Sequence, residues 1–141
     1  MSRNESRGAV PNIEKIATTP DWYAPYRISQ AVRAGGVVYV SGQAGFEEDG
    51  TTVEGGFLEQ GRQAFRNVGR VLEAAGLTFA DVVKVGIFVR DMAANLPHVI
   101  TLRGEFLAEP YPADTLTEVV ALAQPDWQIE VEVIALDRHA A

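Results

Sequence analysis

Apolar positions along the chain follow two periods, one near two residues and one near 3.6, which mark strands and helices respectively. Residues 27–33 and 36–41 read as two strands joined through Ala34-Gly35-Gly36, and paired glycines between β-rich runs suit a tight hairpin. Residues 57–75 give the clearest helix. Phe57, Gly61, Ala64, Phe65, Val68, Val71, Leu72 and Ala75 recur at three- and four-residue steps, while Arg62, Arg66, Arg70 and Glu73 fall on the opposite, solvated side. Gly76 follows as a left-handed cap, with Leu77 placed for the accompanying apolar contact. Residues 82–89 are apolar at most positions, the pattern of a strand covered on both faces. Asn95 caps a second helix with Pro97 in its first turn. Its inner stripe is Leu96, Val99, Ile100, Arg103, Phe106 and Leu107, and Pro110 and Pro112 end it. Residues 115–122 and 128–136 are the last strands, separated by Gln124-Pro125-Asp126-Trp127.

The predicted order is β-β-α-β-α-β-β, an α+β domain spanning residues 1–141, with both helices on one face of a mixed sheet. Residues 1–20 lack periodicity and read as a flexible lead-in. Residues 42–56 read as a surface loop with a turn at Glu48-Asp49-Gly50. On the last strand Ile129, Val131 and Val133 share one face and Glu130 and Glu132 the other. A sheet face that no helix covers, and that is partly apolar, is expected to be buried in an oligomer.

Charge and composition remove several function classes. Twelve basic residues against nineteen acidic ones give a net charge of −7, which opposes nucleic-acid binding and, less strongly, an anionic membrane surface. With no cysteine there is no disulfide, thiolate nucleophile or cysteine metal site; with only His98 and His139, a histidine-rich site within one chain is not expected. The first twenty residues hold no apolar run of the signal-peptide kind, and no stretch approaches the ~18 apolar residues of a membrane helix. A soluble, cytoplasmic protein is the expectation.

Five stretches then carry a resemblance. Ala24-Pro25-Tyr26 and Val40-Ser41-Gly42-Gln43, the helical run 67–76 (NVGRVLEAAG), the strand 81–91 (DVVKVGIFVRD) and the terminal strand 129–135 (IEVEVIA) resemble, in order and spacing, the Rid family of reactive-intermediate deaminases (YjgF/YER057c/UK114). The likeness runs from about Tyr23 to Leu136. It implies a chorismate-mutase-like fold: a mixed sheet with two helices on one face, assembled as a homotrimer around a central barrel. It also implies three ligand clefts between neighbouring subunits. The chemistry implied is hydrolysis of imines or enamines to ketones and ammonia, with no metal and no organic cofactor.

Carried over residue by residue, the resemblance makes Glu130 the group that orients or activates the attacking water and makes Tyr26 a cleft residue. A strand carboxylate is chemically suited to act as general base. The alternatives are an interface ion pair for Glu130 and simple packing for Tyr26. Gly42 reads as a point where backbone approaches the ligand. In the deaminase branch a Pro-Ala-Arg-Ser-like run supplies an arginine that clamps the substrate carboxylate; here the run is Pro112-Ala113-Asp114-Thr115, and the charge is inverted. Two like charges ~4 Å apart at an effective dielectric near 20 repel by about 4 kcal/mol, so simple 2-imino acids are expected to be poor substrates. The alternative turns Asp114 to solvent. Leu116 stands where a cysteine is frequent and Ile100 where an asparagine is common, both making the cleft more apolar. Gly42, Phe88, Thr115, Leu116, Ile100 and Trp127 form the expected substrate-binding set, with Glu130, Tyr26 and Asp114 as the catalytic one. If Asp114 and Glu130 share one cleft, they form a coupled carboxylate pair. Ser41 has no nearby histidine in sequence, so a serine nucleophile is unsupported. The competing function is a non-catalytic trimer that binds a small ligand in the same clefts.

Overall fold

A computed structural model describes residues 12–140. Its strands are β1 (Glu14–Ile16), β2 (Ala31–Ala34), β3 (Val37–Ala44), β4 (Val82–Val89), β5 (Ala113–Glu118) and β6 (Ile129–Leu136); its helices are α1 (Phe57–Ala74) and α2 (Met92–Phe106). One sheet holds all six strands in the order β1-β2-β3-β6-β4-β5. β4 and β5 run parallel and every other pair is antiparallel, so the sheet is mixed as expected. α1 packs on β3 and β6, and its stripe of Ala64, Phe65, Val68, Val71 and Leu72 is buried together with Ile129, Val131, Val133 and Ala135 of β6 and Val85, Ile87 and Val89 of β4 in one core. α1 ends as the glycine predicted. Gly76 takes φ 76°, its N–H donates to the Glu73 carbonyl and the Leu77 N–H donates to that of Leu72. Gly35 and Gly36 both have positive φ, the geometry of the tight hairpin between β2 and β3.

Five expectations need correction. The strand expected over 27–33 is Ala31–Ala34. The lead-in is not featureless: its first eleven residues lie outside the described ones, but Glu14–Ile16 pairs with β2 and Ile16 is buried. Arg33 holds that edge, bonding Glu14 at 2.8 Å, the Ala75 carbonyl at 2.6 Å and Asp137 at 2.9 Å. The second helix starts at Met92, so Asn95 is not its cap; the Asn95 amide donates to the Arg90 carbonyl at 2.9 Å. Its buried positions are Asn95, Val99 and Leu102, and Phe106 stacks on Phe65 at 5.0 Å, while Leu96 and Ile100 face outward. Leu102 goes inward beside Gly61 of α1, where any Cβ would collide with a Leu102 methyl. The strand expected over 115–122 is Ala113–Glu118, and Val120 beyond it is exposed. The segment after β3 is anchored rather than superficial: Phe46 is buried, and the Asn67 amide on α1 donates to the Ala44 and Phe46 carbonyls at 3.0 and 2.9 Å.

The sheet face away from the helices carries Tyr39, Ile134, Leu136, Phe88, Glu130 and Glu132, matched across strands by register. Among the described residues no helix is long and apolar enough to cross a membrane.

Candidate functional site

The site is built on a defect in the β3–β6 ladder. Val40 pairs with Val133 but Gln43 pairs with Val131, so β3 carries one residue more than β6 across Ser41-Gly42. Such a bulge leaves backbone groups unpaired and bends the strand, a recurrent device beside binding sites. Here the freed Gly42 carbonyl accepts a hydrogen bond from the Tyr23 hydroxyl. Glu130 of β6 lies directly against Gly42: a Cβ there would come within 2.8 Å of the Glu130 Cδ. The glycine is needed for space, since only the absence of a side chain lets the carboxylate occupy this position.

Around this contact is a cavity of about 670 Å3. Its walls include Trp22, Tyr23, Tyr26, Phe46, Trp127 and, at its polar end, Glu130. Phe46 is the centre of the aromatic group, stacked on Trp127 at 5.5 Å and in edge contact with Trp22 at 6.0 Å. The Trp22 indole donates to the buried Gln43 amide at 3.0 Å, which in turn donates to the Ser41 carbonyl at 3.1 Å. The aromatic wall is thereby tied to the bulge. A larger and more open groove, about 820 Å3, lies beside Gly55, Arg90 and Glu118 and contains none of the expected site residues.

Electrostatics single out Glu130. Burial first, and the neighbouring Glu132 carboxylate second, push its carboxyl above the usual range, and no ion pair is found for it among the described residues. Tyr23 is held protonated, its hydroxyl pushed well above the ordinary tyrosine value by burial and by the Glu130 charge. Ser41 donates its hydroxyl to the Ser29 carbonyl at 2.6 Å, and the His98 ring lies tilted against Phe57 at 5.9 Å, so Ser41 and His98 do not pair. Among the described residues no group of His, Asp and Glu could hold a metal ion.

The expected residues thus divide. Glu130, Gly42, Tyr26 and Trp127 line one cavity, with Tyr26 67% exposed at the end of the short turn Ala24–Tyr26. Phe88 pairs with Glu130 across β4 and β6 but does not line the cavity of its own chain. Thr115 lies farther along the same open face, where its hydroxyl accepts from Lys84 at 2.6 Å. Leu116 packs toward the core, and Ile100 is 59% exposed on α2. Asp114 pairs with Val85, on the helix side of the sheet, whereas Glu130 is on the open side. The coupled pair of Asp114 and Glu130 is therefore not assembled within one chain. Asp114 instead holds Arg103 of α2 in a two-pronged pair, 2.7 Å to Nη2 and 3.0 Å to Nε. Trp22, Tyr23, Gln43 and Phe46 line or brace the site without having been singled out from sequence; the Asp-Trp-Tyr run between Pro20 and Pro25 signalled the first two, and Gln43 stood in the Val40–Gln43 motif. The arginine row of α1 is also more than a solvated face: Arg70 pairs with Glu48 at 2.6 Å and lies 5.0 Å over the Trp22 ring.

Comparison with known proteins decides the family. The model of the family described as endoribonuclease L-PSP matches residues 17–137. The chain belongs to this family, the YjgF/UK114/Rid family. It is 40% identical over 124 residues to the RutC family protein YjgH of Escherichia coli, covering 84% of this chain and 94% of that protein. It is 34% identical over 128 residues to the human 2-iminobutanoate/2-iminopropanoate deaminase, covering 90% of each. Among solved structures, protein YJGH superposes with a TM-score of 0.79 at 37% identity, covering 87% of this chain and 95% of that one. RidA from an Antarctic Psychrobacter superposes with a TM-score of 0.80 at 34% identity, covering 87% and 98%. The α+β fold of two helices and a mixed six-stranded sheet is the Rid fold.

Proposed function

We propose that the protein is a Rid-type hydrolase that converts a reactive imine or enamine into a ketone and ammonia. The observation that carries this reading is Glu130, a half-buried carboxylate pushed toward its protonated form and set in the wall of an aromatic cavity. In this reading Glu130 takes a proton from water as the water oxygen bonds to the imine carbon, and the C=N bond becomes single. The carboxyl returns that proton to nitrogen, giving a carbinolamine, and then carries the proton of the new hydroxyl to the same nitrogen; the C–N bond breaks with its electrons going to nitrogen, and ammonia leaves as the carbonyl forms. Atoms balance with one water consumed, and no electrons leave the substrate. A carboxyl that titrates above its usual range serves both transfers well near neutrality. Tyr26, Gly42 and Trp127 shape the space around the reacting carbon.

The reading includes a cytoplasmic homotrimer whose open sheet faces meet in a barrel, a face on which Tyr39 and Leu136 are exposed. Clefts between subunits would then bring Phe88, Ile100, Asp114, Thr115 and Leu116 of one chain toward the Glu130 cavity of the next. Simple 2-imino acids are poor substrates in this reading because Asp114 stands where an arginine clamp is expected. The Arg103 pair refines the reason. Asp114 is largely neutralised by that guanidinium, so what a carboxylated substrate loses is the clamp itself, roughly 1.5–3 kcal/mol of charge-assisted hydrogen bonding, rather than meeting full repulsion. The ribonuclease named in the family description fits poorly with a net charge of −7 and an acidic cavity.

The test is ammonia release from imines generated in situ, one carboxylated, one neutral and one cationic, by the natural protein and by Glu130→Gln. Turnover of the neutral or cationic imine that collapses in the variant supports the proposal. Efficient turnover of the carboxylated imine removes the substrate restriction. No turnover on any of the three favours the second reading, a small-ligand-binding trimer, for which the missing clamp arginine is the motivating observation.

A further inference from the structure

The chemistry of the cavity wall is one-sided. Asp21, Glu48, Asp49 and Glu130 border it, and neither lysine nor arginine does. Two of these carboxylates already have cations, Asp21 with Lys15 at 3.0 Å and Glu48 with Arg70 at 2.6 Å. Glu130 and Asp49 have none among the described residues, although Asp49 accepts a hydrogen bond from the Thr51 amide at 2.9 Å. The other surfaces are the rings of Tyr23, Tyr26, Phe46 and Trp127, whose negative faces attract cations, as the seat of Arg70 over Trp22 illustrates within the same cluster.

We infer that this cavity selects an organic cation, an amine or iminium with an apolar or aromatic body, and disfavours carboxylates. The inference rests on the proposed function only in taking this cavity as the substrate site, and it extends that reading by naming the substrate class. The cation supplies the counter-charge that Glu130 lacks, while its body fills the aromatic walls. The volume of about 670 Å3 is within the range of sites that enclose a small organic molecule. The groups argued from are β6, the bulge and the Trp22–Phe46 wall of one chain, whose own Asp114 points to the other face of the sheet.

The chain has two tryptophans, and both border the cavity, so intrinsic fluorescence reports its occupancy. The full-length protein is titrated with benzyltrimethylammonium, benzyl alcohol and phenylacetate. The cation is expected to bind at least about tenfold more tightly than phenylacetate, with the alcohol between them. Glu130→Gln is expected to reduce that ratio by at least about threefold, and Asp49→Asn, which leaves the buried carboxylate in place, to reduce it less. Equal or reversed affinities, or no saturable response to the cation at ~10 mM, overturn the inference. Failure here is separable from failure of the hydrolase. Cation preference without ammonia release from any imine removes the reaction and leaves the selectivity, and turnover without cation preference does the reverse.

Discussion

Glu130 and Asp114 carry the same functional group, flank the same central strand β4, and live in opposite electrical settings. Glu130 faces the open side of the sheet, is desolvated, and has another carboxylate rather than a cation as its main charged neighbour. Asp114 faces the helix side, with a guanidinium held by two hydrogen bonds. Desolvation without a partner raises a carboxyl's proton affinity and makes it useful for proton transfer, whereas pairing fixes the charge and makes it structural. The difference comes from register. One residue of offset along a strand exchanges the two faces, and the bulge at Ser41-Gly42 then opens space on one of them.

The contrast is broken most severely by Glu130→Gln, which keeps the shape and removes the base. Turnover of the preferred imine should fall by at least ~100-fold with the fold intact, as ammonia release and circular dichroism would show. Retained turnover would end the general-base reading. Next comes Gly42→Val, which forces a side chain into the space of the Glu130 carboxylate. It should lower stability by about 1–3 kcal/mol in chemical denaturation and abolish activity by turning Glu130 away.

The pH dependence of stability sharpens the contrast further. The Glu130 pKa is raised on folding, so the folded chain holds this proton more tightly than the unfolded chain does. That contribution is fully present below the unfolded pKa and is lost as pH rises through the folded one. Glu130→Gln should therefore melt at a higher temperature than the natural protein at neutral pH, with the gap closing near pH ~4. A constant gap across that range would mean that burial is not what perturbs the group. The same ionisation should appear as the acid limb of kcat/KM, displaced upward from the ordinary carboxylate range. The smallest effect belongs to the paired carboxylate. Asp114→Asn should cost about 0.5–1 kcal/mol, and a double-mutant cycle with Arg103→Gln should recover a coupling of that size that shrinks in salt.

The sequence was most legible where local signals agreed. Residues 82–89 form β4 at their expected limits, and α1 ends within one residue of its expected position, because periodicity and a capping glycine point the same way there. β1 was missed because three residues cannot display a period; its existence depends on pairing with β2 and on Arg33. The inward face of α2 was misjudged because the cleft offered by Gly61, a tertiary feature, draws in Leu102. In the site, Glu130, Gly42 and Tyr26 were reached through motif resemblance, and the structure places them with Trp127 around one cavity. The aromatic wall was not legible, since Trp22 and Tyr23 lie in a segment without strand or helix character. The Arg103 partner of Asp114 was equally hidden. It depends on how α2 lies against the parallel β4–β5 pair, and no pattern of apolar positions encodes that.

The contact between Gly42 and Glu130 also imposes an order on change. While the glutamate is present, no larger residue fits at position 42, so that substitution cannot come first. Once Glu130 is cut back to a small residue, the same volume becomes available and position 42 can accept a side chain. A chain that has taken both steps can no longer regain the carboxylate by reverting position 130 alone, because the space it occupied has been filled. The pair behaves as a latch on divergence, through which a line of descendants can leave proton-transfer chemistry in two single steps and return only by undoing them in reverse.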